Sequence, residues 1–218
     1  MLTLQQKAQQ LSKHMFVGGL VKDFEKLGRV QLMLLLQEGV YPQSKVLDLG
    51  CGCLRGGYWL IHFLDPDGYC GIEPNHHMLR AGVERLLEPE VRAVKRPRFD
   101  ENATFDATMF GERFDFVLAR SIWSHASKAQ IEQMLDTFVQ VGAERAVFLT
   151  SYLPVRWGLM RDYTGSGWVG RSHESHRPGF VFHRRQWVYT QCRQRGFGVT
   201  ELKGWRYYGQ VWLRITKP

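Results

Sequence analysis

The stretch Val46-Leu47-Asp48-Leu49-Gly50-Cys51-Gly52-Cys53-Leu54-Arg55-Gly56-Gly57 sets an acid and two glycines at alternate positions where a short apolar run ends. A nucleotide-like ligand approaches the carboxyl edge of a strand closely only where side chains are missing, and Gly50 and Gly52 provide that clearance. A lone glycine turn carries little information. Here a second acid, Glu73, stands 21 residues after Gly52 at the end of the next apolar run, where its two oxygens can accept from both hydroxyls of a ribose. The bland alternative is a tight turn at Gly50 and Gly52, with Glu73 capping a helix that starts near Asn75.

These residues need a scaffold, and the surrounding pattern supplies one. Lys45–Leu49 reads as a strand, the glycine turn follows, and Tyr58–Leu64 resumes an apolar helical spacing. A second cycle comes next, with Tyr69–Glu73 as strand, Pro74 as separator, Asn75 as a possible cap and the stretch to Leu87 as helix. Pro89 and Pro97 interrupt the following segment, which holds a weak strand near Arg98–Asn102. Phe114–Ala119 is a buried strand, Lys128–Val141 an amphipathic helix and Arg145–Tyr152 another strand. Leu153–His183 has no clear period and reads as a functional loop region. A helix over Arg184–Arg195 and two antiparallel strands, Gly198–Lys203 and Gln210–Lys217, close the chain. Upstream, Leu4–His14 suits a polar helix, Val17-Gly18-Gly19 breaks it, and Val21–Gln37 has apolar residues at helical spacing.

The expected fold is therefore α/β: a doubly wound, Rossmann-like sheet of about seven strands, the last antiparallel, with an N-terminal helical lid. One domain is expected, divided into the lid (1–44), a ligand-binding core (45–152), an acceptor-side insertion (153–183) and a closing helix and hairpin (184–218).

Dinucleotide binding competes with this reading, but its phosphate loop asks for a glycine where this chain has Arg55. Asp48, Gly50 and Gly52 instead resemble the first motif of class I S-adenosylmethionine-dependent methyltransferases: acid, any residue, glycine, any residue, glycine. A further glycine frequent in that motif is Leu54 here. The resemblance runs from about Val17 to the C-terminus, and the Val17-Gly18-Gly19 and Leu54–Gly57 turns look most like poorly characterised bacterial members. It implies S-adenosyl-L-methionine as cofactor and methyl transfer as activity. It matches Glu73 to the acid that holds the ribose, so that Asp48, Gly50, Cys51, Gly52, Arg55, Glu73, Pro74 and Asn75 surround the cofactor. The loop around Asn102–Asp106, with Phe105 and Asp106, flanks the adenine, and Arg120 follows the fourth motif, Phe114–Ser121, whose end faces the methyl group and acceptor.

Methyl transfer is an in-line displacement, so holding acceptor, methyl and sulfur collinear supplies much of the rate. A protein base is required only where the acceptor must lose a proton. His125, just after the fourth strand, is the candidate base, with a cap of the next helix as its alternative role. Trp123, Tyr152, Trp157 and Arg171 are candidate acceptor contacts: aromatic faces give rigid contact area, and Arg171 suits an anionic acceptor. His173, Glu174 and His176 lack metal-ligand spacing, and no metal is expected.

The charge of +8 is uneven, since from Arg156 onward twelve Lys/Arg face three acids. The expected partner is a small-molecule oxygen or nitrogen acceptor. RNA methylation, prompted by that basic third, and non-catalytic cofactor binding are the alternatives. Four scattered cysteines form neither a disulfide framework nor a zinc site, and no apolar run of about 18 residues suggests a membrane span, so a cytoplasmic location is expected.

Overall fold

The computed structural model describes residues 2–156, 158, 160–171 and 178–217, with the side chains of Arg206 and Tyr207 left aside. The chain divides into two compact units, Met1–Ala103 and Thr104–Pro218. Its strands β1 (Val46–Leu49), β2 (Tyr69–Ile72), β3 (Arg98–Asp100), β4 (Phe114–Ala119), β5 (Gly142–Tyr152), β6 (Gly198–Tyr207) and β7 (Gln210–Thr216) form a seven-stranded sheet in the order β3-β2-β1-β4-β5-β7-β6. β7 alone runs against the other six, as the terminal hairpin requires. The α/β fold expected from the alternating pattern is the observed one.

In the first unit β2 lies between β1 and β3, parallel to both, with Leu49 level with Ile72 and Ile72 level with Asp100. Both β1 and β2 are fully buried, which is why they read as continuous apolar runs rather than alternating ones. Helix α1 (Leu4–Leu11) starts on a capping box in which the Thr3 hydroxyl and the Gln6 side chain exchange bonds with each other's backbone. Its Leu4, Ala8 and Leu11 lie on one face and join Val17, Phe24, Cys53, Ala81 and Leu86 in a single cluster. A 3₁₀ turn over Val21–Asp23 leads into α2 (Phe24–Gln37). Helices α3 (Gly57–Phe63) and α4 (His76–Ala81) follow β1 and β2, and α4 widens into a π turn over Gly82–Leu86.

Helix α5 (Pro89–Lys95) was not expected, because Pro89 reads as an interruption. It is the opposite. Proline at the first helical position has its φ already set and lacks only an amide hydrogen that the helix would leave unpaired.

In the second unit β4 and β5 are parallel, and β7 pairs antiparallel with both β5 and β6. Helix α6 (Lys128–Val141) begins on a capping box of Ser127 and Gln130. His125 is therefore not its cap. Helix α7 (Arg185–Gln194) buries Val188 and Cys192. Phe138 of α6 meets Phe148 of β5 and Phe197 with ring centroids 5.5 and 5.1 Å apart, which anchors the helix to the sheet. The aperiodic segment before α7 is held through bridges of Pro154 with His183 and Asp162 with Phe182, and through an ion pair of Lys128 with Asp162 at 2.7 Å.

Candidate functional site

In the first unit the glycine turn after β1 is built from left-handed residues: Gly50, Gly52 and Leu54 have φ of 76°, 57° and 63°. Glycine takes that conformation without a steric cost, whereas at the buried Leu54 it is strained. The Gly50 and Cys51 amides both donate to the Ile72 carbonyl, at 2.8 and 3.1 Å, so the turn is fixed to the end of β2. A methyl group added to Gly52 would meet only the Met78 Cε, at an ordinary 3.4 Å. The space over this turn is thus open to a ligand.

Glu73 occupies the end of β2 and is 5% exposed. Its Oε2 accepts from the Gly52 amide and its Oε1 from the Asn75 amide, both at 2.9 Å. Burial raises its pKa, and the two amide bonds pull the other way. Each oxygen keeps a further lone pair, which is what a ribose diol would need. Glu73 is not the cap of α4. Asn75 is, accepting from the Met78 amide at 3.1 Å. Half-buried Pro74 completes the bend, its carbonyl accepting from the His76 amide at 3.1 Å.

Asp48 is buried in β1, with Oδ2 accepting from the Tyr69 hydroxyl at 2.8 Å. Burial pushes its pKa to about 7, the Tyr69 bond lowers it and the Glu73 charge adds to the rise. Cys51 contributes a backbone amide. Its thiol lies 2.9 Å from where a Gly71 Cβ would stand, packed on the sheet, and burial raises its pKa. Arg55 is buried, and its Nη2 donates to the Val17 carbonyl at 3.0 Å.

In the second unit Phe105 is buried with φ of 59°, and its carbonyl accepts from the Thr137 hydroxyl at 2.8 Å, which fastens this loop to α6. Asp106 accepts from the Thr108 amide and hydroxyl at 2.8 and 2.7 Å, and these bonds lower its pKa. Half-buried Arg120 follows β4. Beyond it Ser121 is left-handed, with φ of 60°. Its amide donates to Ser151 Oγ at 2.8 Å, Ser151 Oγ donates to Gln210 Oε1 at 2.6 Å, and Gln210 Nε2 donates back to Ser121 Oγ at 2.8 Å. Sequence reasoning missed this ring. No spacing links residues 121, 151 and 210; the β4–β5 register, with Ala119 level with Thr150, and the β5–β7 register, with Tyr152 level with Val211, bring them together. The one available signal was three polar residues at or just beyond strand ends.

The acceptor-side candidates are scattered. His125 stacks on Trp168 with centroids 5.6 Å apart, and its Nδ1 lies 2.7 Å from the Val169 carbonyl. Burial lowers its pKa, while backbone bonds with Val169 and Gly179 oppose that shift. The ring thus holds two points of the long insertion. Trp123 is fully buried, edge-on to Phe148 at 5.8 Å, and Tyr152 is buried with Tyr189, Arg185 and Glu201 as its charged or polar neighbours. Both are core residues here. Arg171 is exposed, and Trp157, His173, Glu174 and His176 lie outside the described residues. Among the described residues no cluster of His, Cys, Asp and Glu could hold a metal, and no helix is long and apolar enough to cross a membrane.

No family model and no curated protein matches the chain. Solved structures do. Magnesium protoporphyrin IX methyltransferase from Synechocystis PCC 6803, crystallised with S-adenosylmethionine, is similar at a TM-score of 0.63 and 15% identity over 100% of this chain and 86% of that one. A glycopeptide N-methyltransferase complexed with sinefungin gives 0.64 and 15% over 88% and 94%. The PH0226 protein of Pyrococcus horikoshii OT3 gives 0.63 and 18% over 89% and 91%. The chain has the class I, Rossmann-like S-adenosylmethionine-dependent methyltransferase fold.

Proposed function

We propose that this protein binds S-adenosyl-L-methionine at the carboxyl ends of β1 and β2 and transfers its methyl group to a small-molecule oxygen or nitrogen. The carrying observation is Glu73, a buried carboxylate tied to the Gly52 amide, with a lone pair to spare on each oxygen beside a turn that has room above it. In this reading Glu73 holds the ribose hydroxyls. The Gly50–Gly52 backbone receives the methionine moiety, and Asp48 and Pro74-Asn75 set the shape around them. The cofactor supplies an electrophilic methyl on sulfur. The chain's own residues orient it and keep water from the line of attack.

Solved structures of like fold support the acceptor class, since two of them are named for a porphyrin and a glycopeptide substrate. The engaged ring of His125 favours an acceptor that reaches the site with a free lone pair and needs no protein base. On the acceptor side we place the Ser121 hydroxyl and Arg171 ahead of the buried Trp123 and Tyr152.

Titration calorimetry tests the reading. S-adenosylmethionine and S-adenosylhomocysteine should bind with micromolar constants and nicotinamide dinucleotides should not. The reverse preference would remove the cofactor assignment.

A further inference from the structure

Arg55 stands where a dinucleotide fold wants glycine, three residues past Gly52, and the residue is 7% exposed. Burying a cation costs free energy that its contacts must return, so what it holds deserves an account. Its Nη2 donates to the Val17 carbonyl at 3.0 Å, and the Cys53 thiol reaches the same oxygen at 3.5 Å. The guanidinium carbon lies 5.0 Å from the centre of the Phe24 ring at the start of α2. A methyl group added to Gly18 would lie 3.7 Å from Nη2, and one on Gly19 would lie 3.6 Å from both terminal nitrogens. The backbone carbonyl of Arg55 packs so closely on α2 that a Gly28 Cβ would stand 2.1 Å from it. The side chain therefore spans from the glycine loop to the Val17-Gly18-Gly19 turn.

That turn consists of two consecutive left-handed glycines, with φ of 79° and 108°. The two glycines have many unfolded conformations to lose and no side chains of their own, so their position depends on what holds Val17, which is its burial in the N-terminal cluster together with the Arg55 bond to its carbonyl. Its neighbour on the ligand side is Met78, whose Cε would be 4.0 Å from a Gly18 Cβ and 3.4 Å from a Gly52 Cβ. One methyl group thus bridges the turn and the open face of the glycine loop.

We propose that Arg55 is a positioning residue: it holds the Val17-Gly18-Gly19 turn down beside Gly52, so that a bound cofactor leaves only when the turn lifts from the guanidinium. This rests on the cofactor reading above. Arg55 acts through the Val17 carbonyl rather than as a ligand of the cofactor, and its main effect falls on how long the cofactor stays.

The test compares the wild-type chain with Arg55→Met, Arg55→Lys and Gly18→Ala, using S-adenosylhomocysteine as the probe. Stopped-flow displacement gives the dissociation rate, and hydrogen exchange of the peptide covering 15–20, without ligand, gives the opening of the turn. Arg55→Met should release the probe about tenfold faster with a nearly unchanged association rate, since contacts formed after encounter act mostly on dissociation. Protection of the peptide should fall in parallel. Arg55→Lys, which still donates one bond to Val17, should lie between the two. Gly18→Ala leaves Arg55 intact but strains the turn at its positive φ, and should also speed release, which decides the matter if Arg55→Met fails to fold. Unchanged dissociation and exchange in the folded variants would overturn the proposal. Failure of the wild type to bind the probe would instead strike the cofactor reading, and the exchange data would still judge the latch.

Discussion

Asp48 and Glu73 are buried carboxylates in the same unit, and their environments separate their behaviour. Asp48 has one hydroxyl donor and a pKa pushed to about 7, whereas Glu73 has two amide donors that oppose the rise. An unfolded chain releases the Asp48 proton near pH 3.9 while the folded chain keeps it to about pH 7, so the stability from this site is complete below about pH 4 and is lost as the pH rises to about 7. Asp48→Asn keeps an oxygen for Tyr69 and cannot ionise. Its stability relative to wild type should therefore improve by about 2–4 kcal/mol between pH 4 and pH 8, measured by urea unfolding at both. No change would mean that Asp48 ionises normally. Glu73→Ala should weaken S-adenosylhomocysteine binding by roughly 1.5–3 kcal/mol in calorimetry, and an unaltered constant would place the ribose elsewhere. For His125, bonds to Val169 and Gly179 make the ring a clamp on the insertion. His125→Ala should lower the melting temperature and leave the methyl-transfer rate per folded molecule within a few fold, and a loss of about 10²-fold in that rate with intact stability would restore it as the base.

At the scale of elements, close backbone contact sets the first unit's geometry. Replacing a helical glycine with alanine ordinarily gains up to about 1 kcal/mol, because alanine has less unfolded freedom to lose. Gly28 in α2 should show the reverse sign, since its new Cβ would stand 2.1 Å from the Arg55 carbonyl oxygen and force α2 away from the start of α3. We expect Gly28→Ala to cost about 1–3 kcal/mol in chemical denaturation, and a stabilised variant would show that the two helices give way freely. Caps and β-strand burial follow local chemistry: Thr3 with Gln6, Asn75 and Ser127 with Gln130 all serve in the positions that their side chains suit. The same local reasoning placed β4 and α6 at their observed bounds. It failed at Pro89, where a residue that reads as an interruption opens a helix.

Over the whole molecule the basic third shows how charge in a sequence differs from charge at a surface. Arg195 pairs at 2.5 Å with Asp136, an acid from outside that third, while Arg185 pairs at 3.2 Å with Glu201 inside it. Part of the excess is therefore engaged within the fold, and RNA binding should be weak, falling steeply between 50 and 200 mM salt. Tight binding of one RNA at physiological salt would move RNA methylation to first place. What the sequence by itself determined was local: two buried strands, a glycine turn that only left-handed residues can make, an acid at the end of the next strand, and hence the fold and the sheet edge at which we propose the cofactor binds. Those features follow from burial, steric freedom and capping within a few residues of chain. Tertiary structure alone decided which way the distant side chains faced. Pairing of β5 with both β4 and β7 joined Ser121, Ser151 and Gln210, the insertion turned His125 into a clamp, packing drew Trp123 and Tyr152 into the core, and folding of the N-terminal segment gave Arg55 a carbonyl to hold. Each of those outcomes depends on contacts between residues about 25 or more positions apart, and the order of residue types along a chain does not encode such distances locally.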